Sequence, residues 1–188
     1  MKRVGVLALQ GSVQEHMEKL ERIDGVTPVS VKSQKDLVGV ERLIIPGGES
    51  TAIGKLLRDF DMIVPLAGMI RDGMPVWGTC AGMIILAKRI ENSPTVHLNV
   101  MDITVKRNAY GSQLDSFVTE GRISEVSHSN IPLVFIRAPY ITRIGEGVDV
   151  MLEVDGKIVA TRQKNMIATS FHPELTDSLD FHRYFCSF

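Results

Sequence analysis

The chain has little cysteine, few aromatic residues and no excess of either charge. Two cysteines in 188 residues, Cys80 and Cys186, are too few for a disulfide framework and form no CxxC pair. That usage points to a reducing, cytoplasmic setting. Aromatics make up 6%, and no Arg/Lys cluster is interleaved with them, which argues against a nucleic-acid partner. A formal net charge of −1 gives no reason to expect a polyanion or a membrane surface. No apolar run approaches the roughly 18 residues of a membrane helix. Lys2-Arg3 before an apolar run imitates a signal peptide, but the run is short and Gln10 interrupts it without a small-residue cleavage site. Metal binding is not expected, because neither H-x-x-x-H nor C-x-x-C spacing occurs. With no internal repeat, low-complexity tract or long linker, residues 1–188 read as one domain.

What is present suits a packed core: 44% hydrophobic and 23% charged residues. In the first half, strand signals at 4–9, 26–32, 42–46 and 75–78 alternate with helical spacing at 12–23, 50–59, 62–71 and 81–90. Ser12 with Glu15 suggests a capping box at the first helix. Continuous apolar strands between helices predict a mostly parallel sheet covered on both faces. The second half is β-rich, at 99–106, 117–124, 131–137, 148–154, 157–163 and 166–171, and Asp155-Gly156 marks a hairpin. A helix is expected over 176–188. The fold class is therefore α/β, three-layered, with antiparallel strands added late.

Gly78-Thr79-Cys80-Ala81-Gly82 carries the strongest chemical signal. It has the G-x-nucleophile-x-G spacing of a strand-to-helix elbow, where small flanking residues make room for a strained turn. The helix start favours negative charge, and the Ala81 amide can serve as an oxyanion donor. A lone cysteine is more often a buried packing residue; the two glycines and the strand–helix context favour the nucleophile. Its base is sought among five histidines. His172-Pro173-Glu174 follows a strand, where open α/β sheets hold their ligands. Pro173 extends the chain, so His172 and Glu174 can share a side. His16, His97, His128 and His182 read as surface or packing residues. A third motif, Pro46-Gly47-Gly48-Glu49-Ser50-Thr51, also ends a strand, and its backbone can supply a second oxyanion donor. Gly54-Lys55 imitates a phosphate-binding loop, but Glu49 replaces the first required glycine and Leu56 the Ser or Thr, so nucleotide binding is rejected.

Taken in order, PGGEST, GTCAG and FHPE resemble class I glutamine amidotransferases, the Cys-His-Glu glutaminases. LALQGSVQEH, WGTCAGMIIL, RNAYGSQ at 107–113, FIRAP at 135–139 and SFHPEL extend the likeness to the glutaminase-subunit family of pyridoxal 5′-phosphate synthases. The resemblance implies a flavodoxin-like fold. It also implies hydrolysis of L-glutamine to glutamate and ammonia through a thioester. Cys80, His172 and Glu174 correspond to the triad, and Gly48 and Ala81 to the oxyanion donors. Gly47, Gly48, Glu49, Arg107, Ile136 and Arg137 correspond to the substrate-binding positions, and Gln10 faces the partner. That partner is a (β/α)₈-barrel synthase subunit in a large hetero-oligomer, which uses the ammonia. The resemblance calls for no cofactor or metal in this chain, since pyridoxal phosphate is the product of the complex. An arginine suits the carboxylate of glutamine, and an acidic residue such as Glu49 suits its ammonium. The alternative, a glutaminase for another synthase such as the histidine-pathway enzyme, is disfavoured by RNAYGSQ and LALQG.

Overall fold

Alternate residues of short apolar strands point to opposite faces, so a strand covered on both sides must be apolar throughout. The computed structural model, which describes residues 1–107 and 116–188, follows that rule. Its parallel half contains β1 (Lys2–Leu7), β2 (Val26–Val31), β3 (Arg42–Ile45) and β4 (Val76–Thr79). Their crossovers include α1 (Val13–Glu21), α2 (Ser50–Asp59) and α3 (Ile63–Arg71), and α4 (Ala81–Leu86) follows β4. The second half adds β5 (Ala87–Ile90), β6 (Met101–Lys106), β7 (Ser116–Gly121), β8 (Ile131–Ile136) and β9 (Tyr140–Ile144). Then come β10 (Asp149–Val154), β11 (Lys157–Gln163), β12 (Met166–Thr169) and α5 (Asp180–Ser187).

The main sheet runs β2-β1-β3-β4-β12-β11-β9-β6-β5, with β10 paired to β11. From β2 to β12 all neighbours are parallel. Beyond β12 the pairings with β11, β9 and β6 are antiparallel, and the outer β5–β6 pair is parallel. β7 and β8 form a separate antiparallel pair. Two cores lie on opposite faces. Leu43 and Ile45 of β3 pack on one side with Ile53, Leu57 and Leu66 of α2 and α3. Ile44 between them packs on the other side with Leu20 of α1, Trp77, and Phe181 and Phe185 of α5. The expected three-layer α/β arrangement is thus present.

Three local expectations need correction. The helix predicted over 81–90 ends at Leu86, because Ala87 turns extended (ψ 141°) and residues 87–90 pair with β6 instead. The helix predicted over 176–188 begins at Asp180, where the Ser178 hydroxyl accepts the Asp180 amide proton. Ser12 does precede α1, but its side chain makes no cap and the capping box with Glu15 is absent. Its hydroxyl is used elsewhere, as described below. The Asp155-Gly156 hairpin forms as expected, with both residues at positive φ (50° and 71°) between β10 and β11.

Candidate active site

Four neighbouring parallel strands, β1, β3, β4 and β12, deliver their C-terminal ends to one edge of the sheet. The segments that follow them carry Gln10, Gly47-Gly48, Cys80 and His172. This is where an open α/β sheet holds a ligand.

Cys80 lies between β4 and α4 at φ 48°, ψ −103°, a backbone conformation costly for any residue with a Cβ. Surrounding contacts enforce it. The Cys80 amide donates to the Thr169 carbonyl at 2.8 Å. A Cβ on Gly78 would lie 2.4 Å from the Gly82 carbonyl oxygen, and one on Gly82 would lie 2.1 Å from that of Ile45. Both flanking glycines are therefore required by close backbone approach, and together they present the Cys80 thiol at the strand end. Ala81 opens α4, so its amide lacks an intrahelical acceptor.

His172 is fixed through its amide, which donates to the Val134 carbonyl of β8 at 2.8 Å. Its Nδ1 lies 2.7 Å from Glu174 Oε1, on the one-turn 3₁₀ segment Pro173–Leu175. Burial opposes charging of this imidazole. Hydrogen bonds to Cys80 and Glu174, and the charges of both, outweigh burial and raise His172 to about 10. Burial would also raise the Glu174 carboxyl, but nearby donors and positive charge hold it well below its ordinary value. His172 and Ser12 are the groups hydrogen-bonded to it, both at Oε1. His16 faces the same carboxylate, but its own burial drives it toward neutrality.

The Pro46–Thr51 loop closes the site. A Cβ on Gly47 would sit 2.3 Å from His172 Cε1 and 3.4 Å from Cys80 Cβ. One on Gly48 would sit 2.5 Å from Gln10 Oε1. That same Gln10 oxygen accepts the Glu49 amide proton at 2.7 Å, and the Gly47 carbonyl accepts from the Ser12 amide at 2.9 Å. The Glu49 carboxylate is exposed and caps α2 by accepting the Thr51 amide proton at 3.4 Å, and it also accepts from the Thr51 hydroxyl at 3.1 Å. On the opposite side, the Ile136 carbonyl lies 4.0 Å from Cys80 Sγ, and Arg137 follows at φ 42°. Arg107 lies just past β6, and its charge is felt by His97. Arg107 Nε is buried with no hydrogen-bond partner among the described residues. The rest of its motif, 108–113, lies outside the described residues.

The model of the SNO glutamine amidotransferase family matches residues 6–188. The chain belongs to that family. The chain is 59% identical over 185 residues to the pyridoxal 5′-phosphate synthase subunit PdxT of Ruminiclostridium cellulolyticum, covering 98% of each chain. It is 59% identical over 183 residues to the protein of the same name from Clostridium acetobutylicum, covering 97% of this chain and 98% of the relative. A crystal structure of a glutamine amidotransferase, 42% identical, superposes with a TM-score of 0.92 over 98% of this chain and 97% of that one. PurLQS from Thermotoga maritima, at 16% identity and TM-score 0.74 over 99% and 98%, shares the fold.

Three further residues, to which the sequence assigned no role in the site, also converge here. Ser12 Oγ donates to Glu174 Oε1 at 2.7 Å. His16 Nε2 lies 3.5 Å from Glu174 Oε2, and His16 Nδ1 lies 2.9 Å from His182 Nε2. His16 and His182 are wholly buried, so neither is a surface residue, and they do more than pack. Ser12 and His16 fall within LALQGSVQEH, from which the resemblance assigned a role to Gln10 alone, and helical spacing turns His16 inward beside Leu20. His182 on α5 carried no comparable hint.

Proposed function

We propose that this chain hydrolyses L-glutamine to L-glutamate and ammonia, and passes the ammonia to a synthase that makes pyridoxal 5′-phosphate. The observation that carries this reading is the convergence of Cys80, His172 and Glu174 at adjoining strand ends, with Gly47 pressed against both Cys80 and His172. The names of the curated relatives favour the pyridoxal phosphate synthase over another ammonia user.

The chemistry follows from the side chains. Cys80 Sγ attacks the side-chain amide carbon of glutamine, and its thiol proton resides on His172. The carbonyl oxygen becomes an oxyanion, stabilised by the Gly48 and Ala81 amides. His172, held protonated near neutral pH, gives its proton to the departing nitrogen. The C–N bond breaks, ammonia leaves, and a Cys80 thioester remains. His172 then takes a proton from water, hydroxide adds to the thioester, and the C–S bond breaks to release glutamate. Glu174 stabilises the imidazolium throughout. Arg107 grips the substrate carboxylate, Glu49 its ammonium, and Ile136 and Arg137 line the other wall.

A (β/α)₈-barrel synthase subunit is the partner, in a large hetero-oligomer. An open groove of about 490 Å³ lined by Gln10, Gly11, Gln14, Glu15 and Lys32 adjoins the loop and suits docking there. The whole chain acts as one glutaminase domain, and its two free cysteines suit the cytoplasm. The test is glutamate formation from L-glutamine by the chain alone and with the barrel subunit. Turnover that rises with the partner, and falls by about a thousandfold or more in Cys80→Ala, supports the mechanism. Ammonia release retained by a folded Cys80→Ala variant refutes it.

A further inference from the structure

Glu174 sits on a 3₁₀ segment of three residues and has no regular helix to orient it. Its side chain is nonetheless fully buried. Oε1 receives His172 Nδ1 and Ser12 Oγ, each at 2.7 Å. Oε2 has no hydrogen bond among the described residues, and the polar group that faces it is His16 Nε2 at 3.5 Å. A buried carboxylate oxygen needs a donor, because leaving it bare costs the full desolvation of the charge.

The proton positions of the histidine pair can be assigned from their surroundings. His182 Nδ1 is buried without a partner among the described residues. A proton there would be an orphan donor, so the proton belongs on Nε2, which donates to His16 Nδ1 at 2.9 Å. His16 then carries its proton on Nε2, directed at Thr79 Oγ1 (3.3 Å) and Glu174 Oε2 (3.5 Å). The opposite assignment would strand a buried N–H on His182 and aim a His16 lone pair at a carboxylate. Both imidazoles are pushed toward neutrality by burial, in keeping with one proton each. Thr79 adjoins Cys80 in the chain, so the same imidazole lies against Glu174 and against the residue that precedes Cys80.

We propose that Ser12 and His16 are positioning residues that fix the two oxygens of Glu174, with His182 setting the tautomer of His16. This rests on the glutaminase reading for its role in turnover, but the effect on the thiol, relayed through Glu174 and His172, does not depend on the substrate. The unmade capping bond of Ser12 is the counterpart of this role, since its hydroxyl serves Glu174 and not its own helix.

The experiment compares wild type with Ser12→Ala, His16→Leu, His16→Gln and His182→Leu, each checked for folding by thermal unfolding. One assay is alkylation of Cys80 by iodoacetamide, read by peptide mass spectrometry to separate it from Cys186. The other is kcat and KM for glutamate formation with the barrel subunit. We expect His16→Leu to slow Cys80 alkylation about fivefold and kcat about tenfold, with KM within about twofold. His16→Gln keeps a donor toward Glu174 and should recover most of both rates. Ser12→Ala and His182→Leu should fall in the same direction, by about threefold or more. A role in packing alone would lower thermal stability without selective loss of kcat, and Gln would not rescue it. Alkylation and kcat both within about twofold of wild type in folded His16→Leu and Ser12→Ala would overturn the proposal. If His16→Leu does not fold, Ser12→Ala and His182→Leu decide it by the same criterion. Wild type inert toward glutamine would refute the glutaminase reading, while the alkylation series would still decide the positioning role.

Discussion

Single atoms set the tolerances of this site, and Gly47 shows it most sharply. Adding a methyl group there places carbon 2.3 Å from the His172 ring, well inside contact distance. The ring cannot yield without leaving Glu174, and the loop cannot yield without breaking the Ser12–Gly47 backbone bond. Gly47→Ala should therefore cut kcat by about a hundredfold or more, since misplacing a reacting group by about 1 Å is that costly. The fold should survive, because the loop is at the surface edge of the sheet and not within either core. Steady-state kinetics with circular dichroism checks this; near-native kcat would mean the loop relaxes freely. The same scale explains what could be read beforehand. Gly78, Cys80 and Gly82 were legible because steric demand leaves a residue-type signature at fixed spacing. The roles of Ser12 and His16 were not, although both lie within LALQGSVQEH, because their partner Glu174 lies 162 and 158 positions away in the chain, and a long-range contact is not written in local spacing.

At the scale of elements, α5 is the strut behind β4, the strand that leads into Cys80. Phe181 is buried and stacks on Trp77 of β4 with ring centroids 4.6 Å apart, and meets Phe171 edge-on at 5.9 Å. Trp77 is in turn anchored by its Nε1, which donates to Thr169 Oγ1 at 3.0 Å. Phe181→Ala opens a cavity between α5, β4 and the His172-bearing segment, and should cost about 3–5 kcal/mol by chemical denaturation. Because His182 is the next residue, the variant should also lose activity under conditions where it remains folded. Element types were largely readable from apolar periodicity, yet boundaries failed where tertiary pairing overruled it. The apolar run Met83–Ala87 looks the same whether it continues as helix or turns into a strand, and pairing with the edge of β6, where Ala87 meets Met101, selects the strand. β9, five residues long, acquires its identity by slotting between β11 and β6.

For the whole molecule, the histidines make stability depend on pH in opposite directions on either side of neutrality. His16, His97 and His182 are buried in the folded chain, and all three are harder to protonate there than in the unfolded chain. Burial is the main cause for each, and for His97, lowered to about 4, the charges of Arg107 and Arg58 add to it. Below their ordinary value near 6.5 the unfolded chain binds more protons than the folded one, so stability must fall as pH drops from 6.5 toward 4. His172 has the opposite sign. Its folded value is raised to about 10, so its contribution is complete below 6.5 and is lost as pH rises from 6.5 through 10. Cys80 and Glu174 share that site, so the alkaline loss belongs to the coupled group and not to one ring. The unfolding midpoint should therefore peak near neutral pH. His172→Asn should flatten the alkaline limb and leave the acid limb. His97→Gln should do the reverse, removing part of the acid limb alone. Each kcal/mol corresponds to about 2–4 °C in a chain of this size, so scanning calorimetry from pH 4 to pH 10 resolves both limbs. A midpoint that climbs steadily through pH 10 in wild type would mean that His172 is not held charged by its partners, and the acid role assigned to it in ammonia release would fail with it.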